Sequence, residues 1–384
     1  MKRITTFLLT IAIASTAIAQ EYANDGYYRV QNQSTSRYIR VVDNKGSVNI
    51  GKTEADMGAL KTILGFNNVV SDPSSIIHIT QLDRSKHSYN LGCQGTTVFD
   101  IINYFVRMTW DYETPNCYQC YGESNGMVKY ICDNDNSAYD IDEPEYWYGD
   151  VNSRLTKNKW WFLRTISASD DNSYFGITPE VEANGKYYKA FYADFPFTFA
   201  STGMKAFYVK TIDEKHGTVI TKDATNGVTK ATPVIIECSS NNVSDNRLNV
   251  GDNTAAGNFS ANLLKGNYFC NPSTATDPHR NVVAFNPSTM RVLGTNENGE
   301  LAFVKNVNLE FLPANTAYIT VSANAPAVLT IYDENAGVEG VKMDNTSSFD
   351  IYTLQGMKVR SKVSSMEGLS KGVYIRNGHK VLVK

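Results

Sequence analysis

Gly26-Tyr27-Tyr28-Arg29-Val30-Gln31-Asn32, then Gln33-Ser34-Thr35-Ser36, then Arg37-Tyr38-Ile39-Arg40-Val41 is the stretch on which the fold reading turns. Aromatic and β-branched residues stand on either side of a small polar run, the composition of a strand, a turn and a second strand. Outward from it the same texture recurs in Ile76-Ile77-His78-Ile79, Val128-Lys129-Tyr130-Ile131 and Trp160-Trp161-Phe162-Leu163, with Asn, Asp, Gly and Ser between. Residues 26–165 therefore read as a series of short strands. Two segments depart from the pattern. Leu60, Ile63 and Leu64 fall at i, i+3, i+4 between Thr53 and Gly65, which predicts a short helix, and Val98, Ile101, Ile102 and Phe105 repeat that spacing in a second one.

From about residue 172 the strands lengthen and alternate, with turn signals at Asn184-Gly185, Asn226-Gly227 and Asn298-Gly299. A faint repeat is legible: a hairpin over 205–221 precedes an extended run at 231–236, and a hairpin over 290–305 precedes one at 314–320. Duplicated hairpins are a natural way to build two packed antiparallel sheets, so residues 171–335 predict a β-sandwich, although hairpins also recur by chance in any all-β chain. Residues 336–348 are poor in large apolar side chains and read as a linker. Residues 349–384 hold two or three strand-sized runs, too few for a core of their own.

Two stretches resemble known families. Gly26 to Val41 resembles the first two strands of a ricin-type β-trefoil repeat, and Lys159-Trp160-Trp161-Phe162-Leu163 resembles the tryptophan strand that closes one, without the usual Q-x-W glutamine. That resemblance implies a β-trefoil-like domain over 20–170, with the two helices as insertions. Tyr352-Thr353-Leu354-Gln355-Gly356, Leu369-Ser370-Lys371-Gly372-Val373-Tyr374-Ile375 and Gly378-His379-Lys380-Val381-Leu382-Val383-Lys384 resemble the C-terminal sorting-type tail of secreted Bacteroidetes-type proteins. It implies export through a type IX-like (Por) route, with secretion machinery as a partner, and release or display at the outer cell surface.

The N-terminus agrees with export. Lys2 and Arg3 precede an apolar run ending in Ala17-Ile18-Ala19, a signal-peptide pattern with cleavage expected before Gln20. The run is too short to favour a membrane span, and the mature chain is expected to have none. The net charge of −3 falls to −5 without Lys2 and Arg3. So weak an acidity gives no drive toward nucleic acid. Four cysteines (Cys93, Cys117, Cys120, Cys132) precede residue 140 and two (Cys238, Cys270) follow it. Even counts in each half suit disulfides in an oxidising compartment, and equally suit buried free thiols.

Little in the chain carries catalytic chemistry. Gly122-Glu123-Ser124-Asn125-Gly126 satisfies G-x-S-x-G, but a strand follows where a hydrolase needs a helix, so it reads as a polar turn. Asp133, Asp135 and Ser137 imitate the start of a calcium loop, which Ala138 and Pro144 then break. Cys117-Tyr118-Gln119-Cys120 is a single C-x-x-C without a second pair. The histidines fall in no ligand pattern, and no strand leads into a glycine-rich phosphate loop, so no metal site and no cofactor are expected.

What remains is aromatic density between Tyr104 and Tyr148. Trp110, Tyr112, Tyr118, Tyr121, Trp147 and Tyr148 lie among Asp, Glu and Asn, the pairing of ring faces with polar groups that a sugar needs. The expectation is a secreted or surface protein that binds carbohydrate or glycoprotein ligands without chemistry. The alternatives are a structural or adhesive protein, or a hydrolase whose catalytic residues carry no motif.

Overall fold

The computed structural model describes residues 22–44, 60–97, 106–110, 114–124, 127–133, 145–148, 160–224, 227–252, 259, 261–272, 281–333, 349–354, 356–363, 365–376 and 379–383. The expected signal peptide, the second expected helix at 98–105 and the expected linker lie outside them. Among the described residues the chain is mainly β, and its helical turns are three-residue 3₁₀ pieces such as Phe66–Asn68 and Pro73–Ser75.

The first strands are β1 (Gly26–Asn32), β2 (Arg37–Val41), β3 (Leu60–Leu64), β4 (Ile77–Asp83), β5 (Ser88–Cys93), β6 (Thr96–Thr97), β7 (Val106–Trp110), β8 (Cys117–Ser124), β9 (Met127–Cys132), β10 (Glu145–Tyr148) and β11 (Trp160–Thr165). Six of them close a ring of antiparallel pairs, β1 to β4, β5, β7, β8, β11 and back to β1. Closure removes the exposed edges that such strands would otherwise present. The pairs β2–β3 and β9–β10 branch from the ring. Alternate residues point inward, and Val30, Ile77, Leu91, Tyr118, Cys120, Trp161 and Leu163 belong to one buried cluster. Trp161 is fully buried, and its Nε1 donates to the Ile131 carbonyl at 2.9 Å.

The described part of the first expected helix, Leu60–Leu64, is a strand instead. Leu60 to Leu64 pair residue by residue with Val41 to Arg37, burying Thr62 and leaving Leu64 56% exposed. A full ladder along β2 outweighs a helical pattern only five residues long, too short to pay for helix nucleation. The turn between β1 and β2 is fixed by Asn32, whose Oδ1 accepts from the Ser34 and Thr35 amides, and by Asp133. Asp133, the first carboxylate of the imitated calcium loop, is buried, accepts from the Thr35 hydroxyl and lies 3.6 Å from Arg37. Its role is therefore to pair with this turn.

The remaining chain before residue 334 builds two sheets. A three-stranded one joins β12 (Phe175–Gly176), β19 (Arg247–Val250) and β15 (Phe197–Phe199). The other has ten strands: β13 (Val181–Ala183), β14 (Lys186–Phe191), β16 (Lys205–Asp213), β17 (Thr218–Asp223), β18 (Val234–Cys238), β20 (Lys265–Asn267), β21 (Met290–Thr295), β22 (Leu301–Val304), β23 (Thr316–Thr320) and β24 (Val328–Asp333).

The order of the large sheet bears out the hairpin repeat. Its first half runs β14-β18-β16-β17 and its second, read from the far edge, β20-β23-β21-β22. In each half the strand that follows the hairpin pairs with the hairpin's first strand. The match extends to irregular positions: Phe197 bridges Val228 in one copy and Ala284 bridges Phe311 in the other, and left-handed Ala231 and Asn315 stand 84 positions apart. β24 joins the halves, parallel to β17 and antiparallel to β22.

Packing on both faces explains the composition of β18. Val234, Ile236 and Cys238 belong to a core shared with Phe175, Phe197 and Leu248 of the small sheet, while Ile235 belongs to a core shared with Phe303, Ile319 and Leu329 of the second half. A strand covered on both sides reads as a continuous apolar run. The Asn184-Gly185 signal is met as a turn with both residues left-handed, at φ 50° and 73°.

Residues 349–383 form their own sheet of β25 (Phe349–Thr353), β26 (Lys358–Val363), β27 (Gly372–Arg376) and β28 (His379–Val383), in the order β26-β25-β27-β28. Four strands stand where two or three were expected, and Phe349, Ile351 and Met366 give them a small buried cluster. Arg376 caps it, with its guanidinium 3.6 Å from the centre of the Phe349 ring.

Cys93, Cys120, Cys238 and Cys270 are free thiols. Cys93, Cys117, Cys120 and Cys238 are buried and Cys270 is partly so. Alternation along β8 sends Cys117 and Cys120 to opposite faces, which removes the C-x-x-C as a chelating or redox pair. Burial pushes the Cys120 and Cys238 thiols up to about 12. Among these five, maleimide is expected to label Cys270 first in the native protein and the other four only on unfolding. A native mass two hydrogens short per cysteine pair would show disulfides instead.

Candidate functional site

The described aromatic residues singled out from the sequence fall on β7, β8 and β10 of one sheet, with β9 between β8 and β10. Tyr118 is buried in the ring's interior, where burial raises its hydroxyl pKa, so it presents no face to a ligand and is corrected to a core residue. Its inward position follows from the alternation of β8, which places it beside Trp161 in register. Trp110 stands on β7 at the register position opposite Tyr118. Tyr121 and Trp147 stand on β8 and β10, each paired in register with Tyr130 of β9, and Tyr148 pairs with Lys129. Tyr112 lies outside the described residues.

A groove with chemistry lies elsewhere, in the ten-stranded sheet, with a volume of about 360 Å³. Such a volume falls at the lower end of the ~300–1,000 Å³ typical of small-molecule sites. Its first wall comes from the first half-sheet. Tyr188 of β14, Glu237 of β18 and Lys205 of β16 are direct cross-strand partners and so form one row on one face. The next row holds Ile235 beside Phe207. These residues share the face that packs on the second half, and Tyr188, Ile235, Phe207, Leu301 and Ile331 belong to or pack on that core. The groove is thus the place where the apolar interior of the two halves opens to solvent.

Glu237 is fixed in it by two donors. Lys186 Nζ lies 2.9 Å from Oε1, and the Tyr188 hydroxyl donates to Oε2 at 3.3 Å. The Tyr188 hydroxyl pKa is raised by burial and by this carboxylate, which keeps the hydroxyl a donor. The side chain of Glu237 is only 12% exposed, whereas that of Lys186 is 55% exposed and reaches water. Across the groove the Asn296 amide donates to Glu300 Oε2 at 2.7 Å and to Thr330 Oγ1 at 3.3 Å, tying β24 to the turn before β22. Tyr332 of β24 also lines the groove and leaves half of its surface exposed.

This arrangement brings a fixed carboxylate, exposed ammonium groups and aromatic side chains to one concavity. Among the described residues no group of three or more His, Cys, Asp or Glu side chains is placed to hold a metal ion. The sequence reading missed Lys186, Tyr188, Glu237 and Glu300. One signal was available: Glu237 interrupts the otherwise apolar Val234-Ile235-Ile236-Glu237-Cys238, a charge inside a strand covered on both faces. Its partners were not legible, because only the register of three strands brings them together.

No protein-family model matches the chain, and no curated protein matches it. Among the described residues no helix is long and apolar enough to cross a membrane.

Proposed function

We propose that this chain is exported and acts at the cell surface or beyond it as a non-enzymatic binder of glycans or glycoproteins. The observation that carries the reading is the groove, which Tyr188, Phe207 and Tyr332 line together with the fixed carboxylate of Glu237 and the ammonium of Lys186. A pyranose has apolar C–H faces that stack on rings and hydroxyls that both donate and accept, so it satisfies both kinds of wall.

Export is supported by the charged and apolar pattern of residues 1–19 and by the sorting-type tail. The separate four-stranded sheet of residues 349–383 is consistent with a segment whose role is addressing, with secretion machinery as its partner. The closed ring of six strands with β2–β3 and β9–β10 branching from it supports a β-trefoil-like reading of residues 20–170. Within that unit the strands that carry Trp110, Tyr121, Trp147 and Tyr148 are a second candidate ligand region.

A glycan array probed with the full chain tests the reading. Retention of defined glycans is expected, and Tyr332→Ala is expected to weaken it by about 1–3 kcal/mol, as removal of an aromatic anchor does. Retention of no glycan would overturn the reading and favour a structural or adhesive role. Glu237 and Glu300 line the same groove, so a hydrolase is the second reading, and cleavage of a retained glycan would select it.

A further inference from the structure

We propose, building on the glycan reading of the groove, that the Lys186–Glu237 pair is its specificity-determining element and selects neutral sugars through two adjacent hydroxyls. The geometry starts from the 2.9 Å separation of Lys186 Nζ and Glu237 Oε1. Adjacent ring hydroxyls are themselves spaced about one hydrogen bond apart, so one can donate to the carboxylate while its neighbour accepts from the ammonium. Each contact is charge-assisted, roughly twice as strong as a neutral hydrogen bond. Tyr188 and the sheet register hold Glu237 in place before the ligand arrives, which lowers the ordering cost of binding.

Charge sorts the ligands. The groove is lined by three carboxylates, Glu237 from the first half-sheet, Glu300 from the second and Asp333 from β24 between them, together with Lys186 and Lys205. A uronic acid brings its carboxylate against Glu237, Glu300 and Asp333. An amino sugar brings a cation that competes with Lys186 for Glu237 and faces Lys205. A neutral sugar meets neither repulsion, and discrimination by repulsion is an effective route to specificity.

Titration calorimetry of the full chain decides the matter, using methyl glycosides of neutral hexoses beside the corresponding uronic acids and amino sugars. Neutral glycosides are expected to bind at least about tenfold tighter than either charged counterpart. Glu237→Gln and Lys186→Met are each expected to weaken neutral binding about tenfold or more, and the double variant is expected to be little worse than either single one, because the pair acts as a unit. Thermal unfolding of the three variants verifies folding; Lys186→Met, altering an exposed side chain, keeps the test open should Glu237→Gln fail to fold. A charged sugar bound tighter than its neutral counterpart would overturn the selectivity while leaving the glycan reading intact. Single variants that bind as the parent does would remove the pair from its role. Binding of no sugar of any charge would overturn the glycan reading itself, and this proposal with it.

Discussion

A chain in which Arg29 is replaced by methionine is expected to lose about 3–5 kcal/mol of stability, at the upper end of what one substitution does. Arg29 lies on β1 yet is buried, and its two terminal nitrogens donate to four carbonyls: Ser173 at 2.9 Å, Val69 at 3.1 Å, Tyr174 at 3.0 Å and Val70 at 3.4 Å. The guanidinium also sits 5.3 Å from the Phe66 ring centre and 5.9 Å from that of Phe175. Burial draws its pKa down to about 10, which leaves it charged at neutral pH. One side chain thereby ties the closed ring to the loop before β4 and to the segment that enters the small sheet. Methionine keeps much of the volume but removes the donor to the Ser173 and Tyr174 carbonyls, each costing about 1–3 kcal/mol when left unpaired, while the Val69 and Val70 carbonyls keep the Asp72 and Gly176 amides. Lysine is expected to recover only part of the loss, since a single ammonium cannot fork to four acceptors. Chemical denaturation of the full-length variants measures this. A loss under about 1 kcal/mol would mean that water replaces the guanidinium without cost.

Trp161→Ala is expected to cost a similar amount, about 3–5 kcal/mol, for a different reason. The indole fills the ring's interior with no exposed surface, beside an apolar void of only about 10 Å³ shared with Val30, Ile39, Ile77, Leu91, Cys120 and Ile131. Alanine would open a far larger cavity and leave the Ile131 carbonyl without its Nε1 donor. Trp161→Phe keeps most of the packing and is expected to cost less, its remaining loss reporting the hydrogen bond and the residual void. Equal losses from both variants would indicate that the donor, not the volume, holds this site.

The strands most legible in the sequence are those whose partners lie nearby. Tyr27 to Asn32 and Arg37 to Val41 hold aromatic and β-branched residues, are separated by a polar turn, and form β1 and β2 as expected. The hairpins at 205–221 and 290–305 are equally local, and their following strands dock in the same way in both copies. Leu60, Ile63 and Leu64 misled because three apolar residues in five positions fit a helix face and a strand equally well. The open edge of β2, a tertiary feature, decided it. The parallel docking of β24 between the two halves was not legible at all, since it joins Thr218 to Thr330 across more than a hundred residues.

The candidate site follows the same rule. Ring density between Tyr104 and Tyr148 was visible as composition, but composition does not distinguish a ring that faces a ligand from one that fills a core, and Tyr118 proved to be the latter. The groove residues are ordinary in sequence, each at or near a strand end, and acquire meaning only when register sets Tyr188, Glu237 and Lys205 side by side.

The central claim is that a neutral glycan seats in this groove, and a crystal of the full chain soaked with the tightest-binding neutral glycoside tests it most directly. Difference density is expected for a pyranose within hydrogen-bonding distance of Lys186 Nζ and Glu237 Oε1, with a sugar face against Tyr332. Density confined to the strands bearing Trp110, Tyr121 and Trp147, with an empty groove, would contradict it.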